Sequence, residues 1–394
     1  MELSMAFADY SKKSVELKLT GYYTSFFAVY GIAIPLWPRW LEGQVSLEYI
    51  GLVLGASYWL KLIVVPLTSW ISDVTGDRRR VLIALSLVVI AGLLLLPLAS
   101  HWIWYAVIWG VAGAALSTGI PLSDGLTIRA VQLFGIEFGK VRRWGSISFI
   151  VVTLAVGALA DQFGLDAIYS SILTMSVLLL VSAYFMPKIH TEPEATAAPF
   201  FKPLALPNFP LFLTAVALLL STHAALYGFS AIYWKSVGYS NTMITVLWVV
   251  GVLAEIGIFS FAGKLIGRYG AMPMIIVAGV GCVIRWTMLA SSTELPVLVG
   301  GQLLHGLTFA LLYMSMIAYM TKRIPPSISA SAQGLFDSLS MGVFFGLLTM
   351  GAGVLFEINP AYSFLLMTAC SGIGVALSIV LLVRVRAFER VSDL

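Results

Sequence analysis

Residues 69–80, which read SWISDVTGDRRR, form a short polar loop between two long apolar stretches. The loop holds an acid at Asp73, a glycine at Gly76 and then three consecutive arginines. Residues 263–270, GKLIGRYG, occupy the corresponding place in the second half of the chain. When the two loops are aligned on their final glycines the spacing agrees, although Gly267 stands where the first loop has Asp73. This faint internal repeat predicts two related halves.

The composition around these loops is that of a membrane protein. Of 394 residues, 59% are hydrophobic and 11% are charged, whereas about a quarter of the residues in soluble domains are charged. A membrane-spanning helix takes about 20 residues, so the chain has room for twelve spans, short loops and one modest linker. Such a chain has no room for a separate soluble catalytic domain.

Breaks at glycine, proline and charge clusters divide the chain into twelve predicted spans. They lie near 17–40, 47–73, 79–98, 102–130, 142–161, 166–187, 208–236, 241–267, 271–292, 296–321, 328–356 and 360–383. We therefore predict an all-α integral membrane protein built from two six-helix pseudo-repeats. The longest polar stretch, 188–207, is the predicted cytoplasmic linker between an N-terminal bundle, 1–187, and a C-terminal bundle, 208–394.

The distribution of basic residues predicts the orientation. Of the 23 Lys and Arg, only Arg39 and Lys235 fall in loops on one side, and Lys61 and Arg285 fall inside spans. All the others lie in the termini or in the loops on the opposite side. Because cytoplasmic loops are enriched in Lys and Arg, both termini are expected in the cytoplasm.

The first loop resembles the loop that follows span two in the major facilitator superfamily. Asp73, Gly76, Arg78 and Arg79 match that pattern, and Ser69 departs from its usual glycine. The resemblance implies a transporter fold in which this loop acts in gating. Because Gly267 replaces the acid, any ion pair of this kind in the second copy is expected to be weaker.

Ionisable side chains inside spans are costly and are therefore candidates for function. They are Lys61, Asp124, His223, Glu255, Arg285, His305 and Asp337. Glu255 is the candidate for proton coupling, with Arg285 and His305 from the next two spans, because a buried carboxylate gains or loses a proton as its surroundings change. A structural Glu–Arg pair that only fixes helix packing is the alternative.

Each of two intramembrane histidines begins a helical face that carries an aromatic residue. His305 precedes Phe309 by one turn, and His223 precedes Tyr227. These four side chains are candidates for substrate binding or coupling, and a hydrogen-bonded packing role is the alternative for both histidines. No two histidines share a turn, so we predict no metal site and no cofactor other than protons.

The N-terminal half offers further substrate candidates. Lys61 is expected to hold a carboxylate, with snorkelling toward a membrane edge as the alternative. Asp124 and Arg142 can pair across spans four and five, as a gate or as a structural latch. Phe26 and Tyr30 in span one offer stacking for an apolar ring, or they serve helix packing alone.

Longer strings are similar to the 3-phenylpropionate permease group, which is related to the lactose permease and nucleoside–proton symporters. They are 35–41 (PLWPRWL), 121–124 (PLSD), 139–146 (GKVRRWGS), 247–256 (LWVVGVLAEI), 285–286 (RW), 302–309 (QLLHGLTF) and 332–336 (AQGLF). The resemblance implies proton-coupled import, with Glu255, Arg285 and His305 in coupling and Asp124 and Arg142 at the substrate.

The predicted function is therefore a proton symporter that imports a small aromatic carboxylate, with Lys61 or Arg285 meeting the carboxylate. A symporter for a sugar or nucleoside and a proton-driven exporter of apolar compounds are the alternatives. An enzyme is not expected, because the spans hold no nucleophile–base or metal constellation. We expect a monomer in the bacterial inner membrane that binds no nucleic acid.

Overall fold

The computed structural model describes residues 11–189 and 200–392, with side chains described through residue 385. Within these ranges the regular elements are all helical. Most of the predicted linker, residues 190–199, and both chain ends lie outside the described residues. The chain divides into two compact units: an N-terminal unit of Met1–Val45 and Ala56–Ala195, and a C-terminal unit of Ser46–Gly55 and Thr196–Leu394.

The N-terminal unit contains spans one to six. Their helices are Lys12–Ala33 with the short Trp37–Glu42, Leu47–Thr75, Arg78–Leu95, Trp102–Phe134, Phe138–Phe163 and Asp166–Phe185. The first turns of Leu47–Thr75 group with the C-terminal unit. The predicted first span, 17–40, is interrupted after Ala33, at a stretch that contains Pro35.

Spans one and five pack closely because small and hydroxylated residues line their contact. Ser148 Oγ donates to Thr24 O at 2.7 Å, and Thr153 Oγ1 donates to Gly31 O at 2.7 Å. A Cβ atom at Gly31 would lie 2.8 Å from a backbone oxygen of span five. Such contacts hold helices together in a membrane, where lipid removes the hydrophobic driving force between them. They fix the orientation of the aromatic face of span one.

The C-terminal unit contains spans seven to twelve, and three of them are irregular. Their helices are Phe209–Ser221 with Ala224–Ser236, Asn241–Tyr269, Ala271–Ser291, Leu295–His305 with Leu312–Arg323, Ser329–Asp337 with Phe345–Ile358, and Pro360–Ser392. Span seven, predicted as 208–236, is broken at Thr222 and His223. Spans ten and eleven are each interrupted by a π-helical segment, Gly306–Leu311 and Ser338–Phe344. Such segments occur often at functional sites.

Eleven helices in the described ranges are long and apolar enough to cross a membrane. The first span, Lys12–Ala33, is not among them, because its hydropathy is lowered by its tyrosines, threonines and serines and by the charged Lys12, Lys13, Glu16 and Lys18. It nevertheless packs within the N-terminal unit and completes a set of twelve. The predicted count and the all-α class are therefore consistent with the structure.

The loop after span two is held by its own side chains. Gly76 has a φ of 62°, which favours glycine, and Asp77 caps the following helix by accepting from the Arg80 amide at 3.0 Å. Arg78 lies 3.7 Å from Asp73, and Arg79 donates to the Tyr184 carbonyl. The loop therefore ties span two to spans three and six within the N-terminal unit.

Candidate functional site

Arg285 in span nine is the centre of a buried polar cluster in the C-terminal unit. Its side chain is fully buried and uses four of its five N–H groups. Nε donates to Gly301 O at 2.7 Å and Nη2 donates to Gln302 Oε1 at 2.8 Å. Nη1 donates to His305 Nδ1 and to Thr308 Oγ1, both at 2.9 Å. All four acceptors are neutral groups, so the guanidinium is fixed in place without direct charge neutralisation by them.

The contacts of His305 define its tautomer. A guanidinium can only donate, so Nδ1 of His305 must keep its lone pair and the ring proton must lie on Nε2. Nε2 is 3.5 Å from Glu255 Oε2, whose side chain is 24% exposed. Arg285, His305 and Glu255 therefore form a chain across spans nine, ten and eight. A second proton on His305 would break its bond to Arg285.

His223, at the break in span seven, joins the same cluster. Its Nδ1 lies 2.9 Å from Leu220 O, and its Nε2 lies 3.3 Å from Thr308 Oγ1. A carbonyl only accepts, so Nδ1 carries the proton and Nε2 is the acceptor that faces the Thr308 hydroxyl. His223 and His305 are thus opposite neutral tautomers, and Thr308 lies between His223 and Arg285.

Gly306 allows spans eight and ten to approach closely enough to bring Glu255 to His305. A Cβ atom at Gly306 would overlap the backbone carbonyl of Ala254. At Gly251 a Cβ atom would make only an ordinary contact, 3.5 Å from the His305 side chain. Gln302 Nε2 donates across the same contact to Leu247 O at 3.0 Å. This last bond orients the Gln302 amide so that its oxygen faces Arg285.

The structure thus groups Glu255, Arg285 and His305 as expected, and it adds His223 to them. His305 bridges Glu255 and Arg285, and the four hydrogen-bond acceptors of Arg285 described above are neutral groups. Gln302 and Thr308 were not predicted, because only charged or titratable residues within spans were selected as candidates and these two side chains are neutral. Their positions three residues on either side of His305 were a usable signal, because i, i+3 neighbours share a helix face.

A second polar cluster lies in the N-terminal unit, where Tyr23 stands between the expected Asp124 and Arg142. The Tyr23 hydroxyl donates to Asp124 Oδ1 at 2.5 Å. The Arg142 guanidinium lies over the Phe27 ring at 4.0 Å and over the Tyr23 ring at 5.4 Å. Asp124 and Arg142 are both half-buried. The sequence predicted the acid and the base, but it did not single out Tyr23 as their connection.

The remaining substrate candidates differ in accessibility. Phe26 is 1% exposed and packs on Gly119 of span four, whereas Tyr30, stacked on it with ring centroids 4.7 Å apart, is half-buried. Lys61 is half-buried in the N-terminal unit. In the C-terminal unit the half-buried Phe309 stacks on His305 at 5.4 Å.

Tyr227, the last of these candidates, is half-buried with its ring edge-on to Trp248 at 5.3 Å and to Phe345 at 5.5 Å. It therefore belongs to an aromatic cluster next to His223, whose ring centroid lies 6.3 Å away. Among the described residues no group of three or more His, Cys, Asp or Glu is arranged to hold a metal ion.

Comparison with known proteins places this architecture in a family. The model of the MFS_1 like family matches residues 16–366. The chain is 33% identical over 353 residues to a probable 3-phenylpropionic acid transporter of Escherichia coli, covering 86% of this chain and 90% of that protein. It is 26% identical to the maltose permease of Geobacillus stearothermophilus, with 93% and 94% of the two chains covered.

A solved structure has the same fold. The nucleoside transporter NupG superposes with a TM-score of 0.79 at 17% identity, covering 93% of this chain and 99% of that one. The prediction of an all-α major facilitator fold is confirmed by this likeness together with the family match. The chain belongs to the MFS_1 like family and is a multi-pass membrane transporter of the major facilitator superfamily, not an enzyme.

Proposed function

We propose that the protein is a proton symporter that imports a small aromatic carboxylate, such as 3-phenylpropionate, by alternating access. The observation that carries the coupling part is the chain Glu255–His305–Arg285, in which an acid, a neutral imidazole and a buried guanidinium meet in sequence. Such groups are expensive inside a membrane and are retained where protons or substrates bind.

Glu255 is the proton acceptor in this proposal. It is the acidic end of the chain and is the more exposed partner of its pair, at 24% against 6% for the His305 side chain. Protonation removes the negative charge that faces Nε2–H of His305. The imidazole then keeps its bond to Arg285 but loses the attraction of the carboxylate, so the proton on Glu255 changes the balance of forces on spans eight and ten. Return of the charge restores the attraction between the carboxylate and Nε2–H.

Lys61 is the proposed partner of the substrate carboxylate. The alternative cation, Arg285, has four donors engaged and is fully buried, so it is poorly placed to bind a solute as well. Half-buried aromatic rings that suit a flat apolar ring are Tyr30 in the N-terminal unit and Tyr227 and Phe309 in the C-terminal unit. The aromatic acid named for the Escherichia coli relative supports this class of substrate.

A neutral polar solute is the second candidate. The Tyr23–Asp124 hydrogen bond and the half-buried Arg142 form a group of donors and acceptors that can bind the hydroxyl groups of a sugar or a nucleoside. The similarity to a maltose permease and to NupG favours this reading. Export of apolar compounds on the same proton chain is the third.

The proposal also covers the orientation of the protein in the membrane, its oligomeric state and its cellular location. Both termini face the cytoplasm, because basic residues concentrate in the terminal segments and in the loops on the same side. The protein acts as a monomer in the bacterial inner membrane, and the Asp73–Arg78 contact takes part in closing its cytoplasmic side. Protons are the only coupling ion required.

Uptake into proteoliposomes tests the proposal. Labelled 3-phenylpropionate, a nucleoside and a galactoside are compared with an inward proton gradient and with that gradient collapsed, using protein-free liposomes to measure passive entry. We expect gradient-dependent accumulation of the aromatic acid alone. Accumulation of a neutral solute instead would transfer the substrate role to Asp124 and Arg142, and accumulation of none would favour the exporter.

A further inference from the structure

The break in span seven has an unusual set of partners. Ser221 Oγ faces two carbonyl oxygens, Ala217 O of its own helix at 2.6 Å and Ser340 O in the π-helical segment of span eleven at 2.8 Å. Thr222 Oγ1 accepts from Trp286 Nε1 of span nine at 2.9 Å. The next residue, His223, contacts Thr308 in the π-helical segment of span ten. Three consecutive side chains thus bind three different spans.

These side-chain bonds matter because the backbone is weakly held there. The Thr222 and His223 amides make turn-type bonds to Leu219 O and Leu220 O at 3.4 and 3.3 Å, both long for N–H···O bonds. Neither glycine nor proline stands at the break, but the Ser221, Thr222 and His223 side chains bond carbonyls of the preceding turn at 2.6, 2.7 and 2.9 Å, which competes with the backbone ladder. The conformation of the break therefore depends on these local bonds and on its partners in other spans.

One of those partners, Thr308, is bonded directly to Arg285 of the Glu255–His305–Arg285 chain. Thr308 Oγ1 accepts from Arg285 Nη1 at 2.9 Å, and its hydrogen faces both His223 Nε2 and His305 O, each at 3.3 Å. Any movement of Arg285 that follows a change at His305 alters the contacts of this hydroxyl, and thereby its hold on His223. The His223 and His305 rings also meet edge to face, with centroids 5.4 Å apart, but Thr308 is the residue whose side chain contacts both Arg285 and His223 by hydrogen-bonding atoms.

We infer that Thr308 and His223 are positioning residues that couple the Glu255–His305–Arg285 chain to the break in span seven. The inference rests on the proposed coupling role of Glu255, but it does not depend on which solute is carried. It assigns His223 a mechanical role in place of the expected substrate contact. The charged and titratable groups around the link are Arg285, Cys282 and His305, with Tyr227 beside His223.

The test is a double-mutant cycle read by hydrogen–deuterium exchange of residues 219–227 in the full chain in nanodiscs, with no solute added. Glu255→Gln imitates the protonated acid. It should change the exchange rate at the break by about tenfold, the effect expected for hydrogen bonds to charged groups. In a Thr308→Val background the same change should alter exchange by less than about twofold, which is the usual limit of additivity.

Matched variants separate coupling from simple damage. Thr308→Ser keeps the hydroxyl and should keep the response to Glu255→Gln. Thr349→Val makes the same chemical change in a buried threonine whose hydroxyl donates only to Phe345 O, at 2.7 Å, and should keep it as well. The inference is overturned if Glu255→Gln has no effect on the break, or if Thr308→Val leaves that effect intact.

A second pair of variants covers the case in which Thr308→Val does not fold. His223→Asn can replace the Nδ1 donor to Leu220 but does not reach Thr308, so the response should be lost. His223→Gln places an acceptor near the Nε2 position, so the response should survive. Equal behaviour of the two variants contradicts the inference. Failure of labelled 3-phenylpropionate uptake would refute the proposed substrate and leave these exchange results unaffected.

Discussion

The two polar clusters of the molecule are built on different principles. In the C-terminal unit, Arg285 is fully buried and bonded to four acceptors. In the N-terminal unit, Arg142 is half-buried and lies over aromatic rings, and Asp124 accepts from a single tyrosine. The first cluster is closed to solvent and fixed by hydrogen bonds, whereas the acid and the base of the second are partly exposed.

This difference suggests a division of labour. A fixed guanidinium holds His305 in one tautomer, in which Nε2–H faces Glu255. Protonation of Glu255 therefore changes one defined contact. A partly exposed cluster can be reached by a solute that must bind and leave. Equivalent charged residues in the two units should therefore respond very differently to the same substitution.

The largest effect is expected from Arg285→Lys. A lysine keeps the charge but cannot reproduce the planar fork that reaches four acceptors, and each bond to a charged group contributes about 1.5–3 kcal/mol. Gradient-driven uptake should fall by about a hundredfold or more. Arg142→Lys keeps a cation over the aromatic rings and should reduce uptake by less than about threefold. A larger loss for Arg142→Lys than for Arg285→Lys would reverse the comparison.

Gly306→Ala should come next, through stability. The added methyl overlaps the Ala254 carbonyl, and overpacking of this kind costs about 1–3 kcal/mol. The melting temperature of the purified protein should fall, and uptake should fall with it. Gly257→Ala is the matched control in span eight, where a Cβ meets no atom within 4 Å. An unchanged melting temperature for Gly306→Ala would show that the close approach of spans eight and ten is not needed.

Lys61→Met tests a half-buried cation of the N-terminal unit. It removes the charge and keeps the length of the side chain, so uptake of 3-phenylpropionate should fall by about tenfold. Lys61→Arg keeps the charge and should retain most of the activity. A loss for Lys61→Arg as large as that for Lys61→Met would assign Lys61 to packing.

The smallest effect is expected from Tyr23→Phe. This change deletes one hydrogen bond to Asp124, whose carboxylate is partly exposed so that water can replace the tyrosine hydroxyl, and the KM of the transported solute should rise by only about threefold. The kcat should stay the same. A loss as large as that of Arg285→Lys would show that the N-terminal cluster is as rigid as the C-terminal one.

The sequence was sufficient to predict the fold because its signals are local. Apolar stretches of the right length and the loop of Asp73 and Gly76 predicted the twelve spans and the superfamily. Glu255, Arg285 and His305 were found because a charge in a span is rare. For these three residues, the free-energy cost of a charged or titratable group inside a membrane is what marks them in the sequence.

The sequence did not predict how these residues are connected. The tautomers of His223 and His305 follow from which atoms face them, and the π-helical segment Gly306–Leu311 decides where Thr308 points. The break at Thr222 and His223 carries no glycine or proline to mark it. Such features depend on the packing of several spans at once, which no single stretch of sequence encodes.

The most direct test of the proposed coupling is a comparison of two transport modes in Glu255→Gln proteoliposomes. A neutral amide cannot carry the proton but imitates the protonated acid, so exchange of labelled for unlabelled 3-phenylpropionate at equal concentrations should persist. Accumulation against a concentration gradient, driven by protons, should be lost. Full uphill accumulation by this variant would remove Glu255 from the proton pathway and contradict the proposed mechanism.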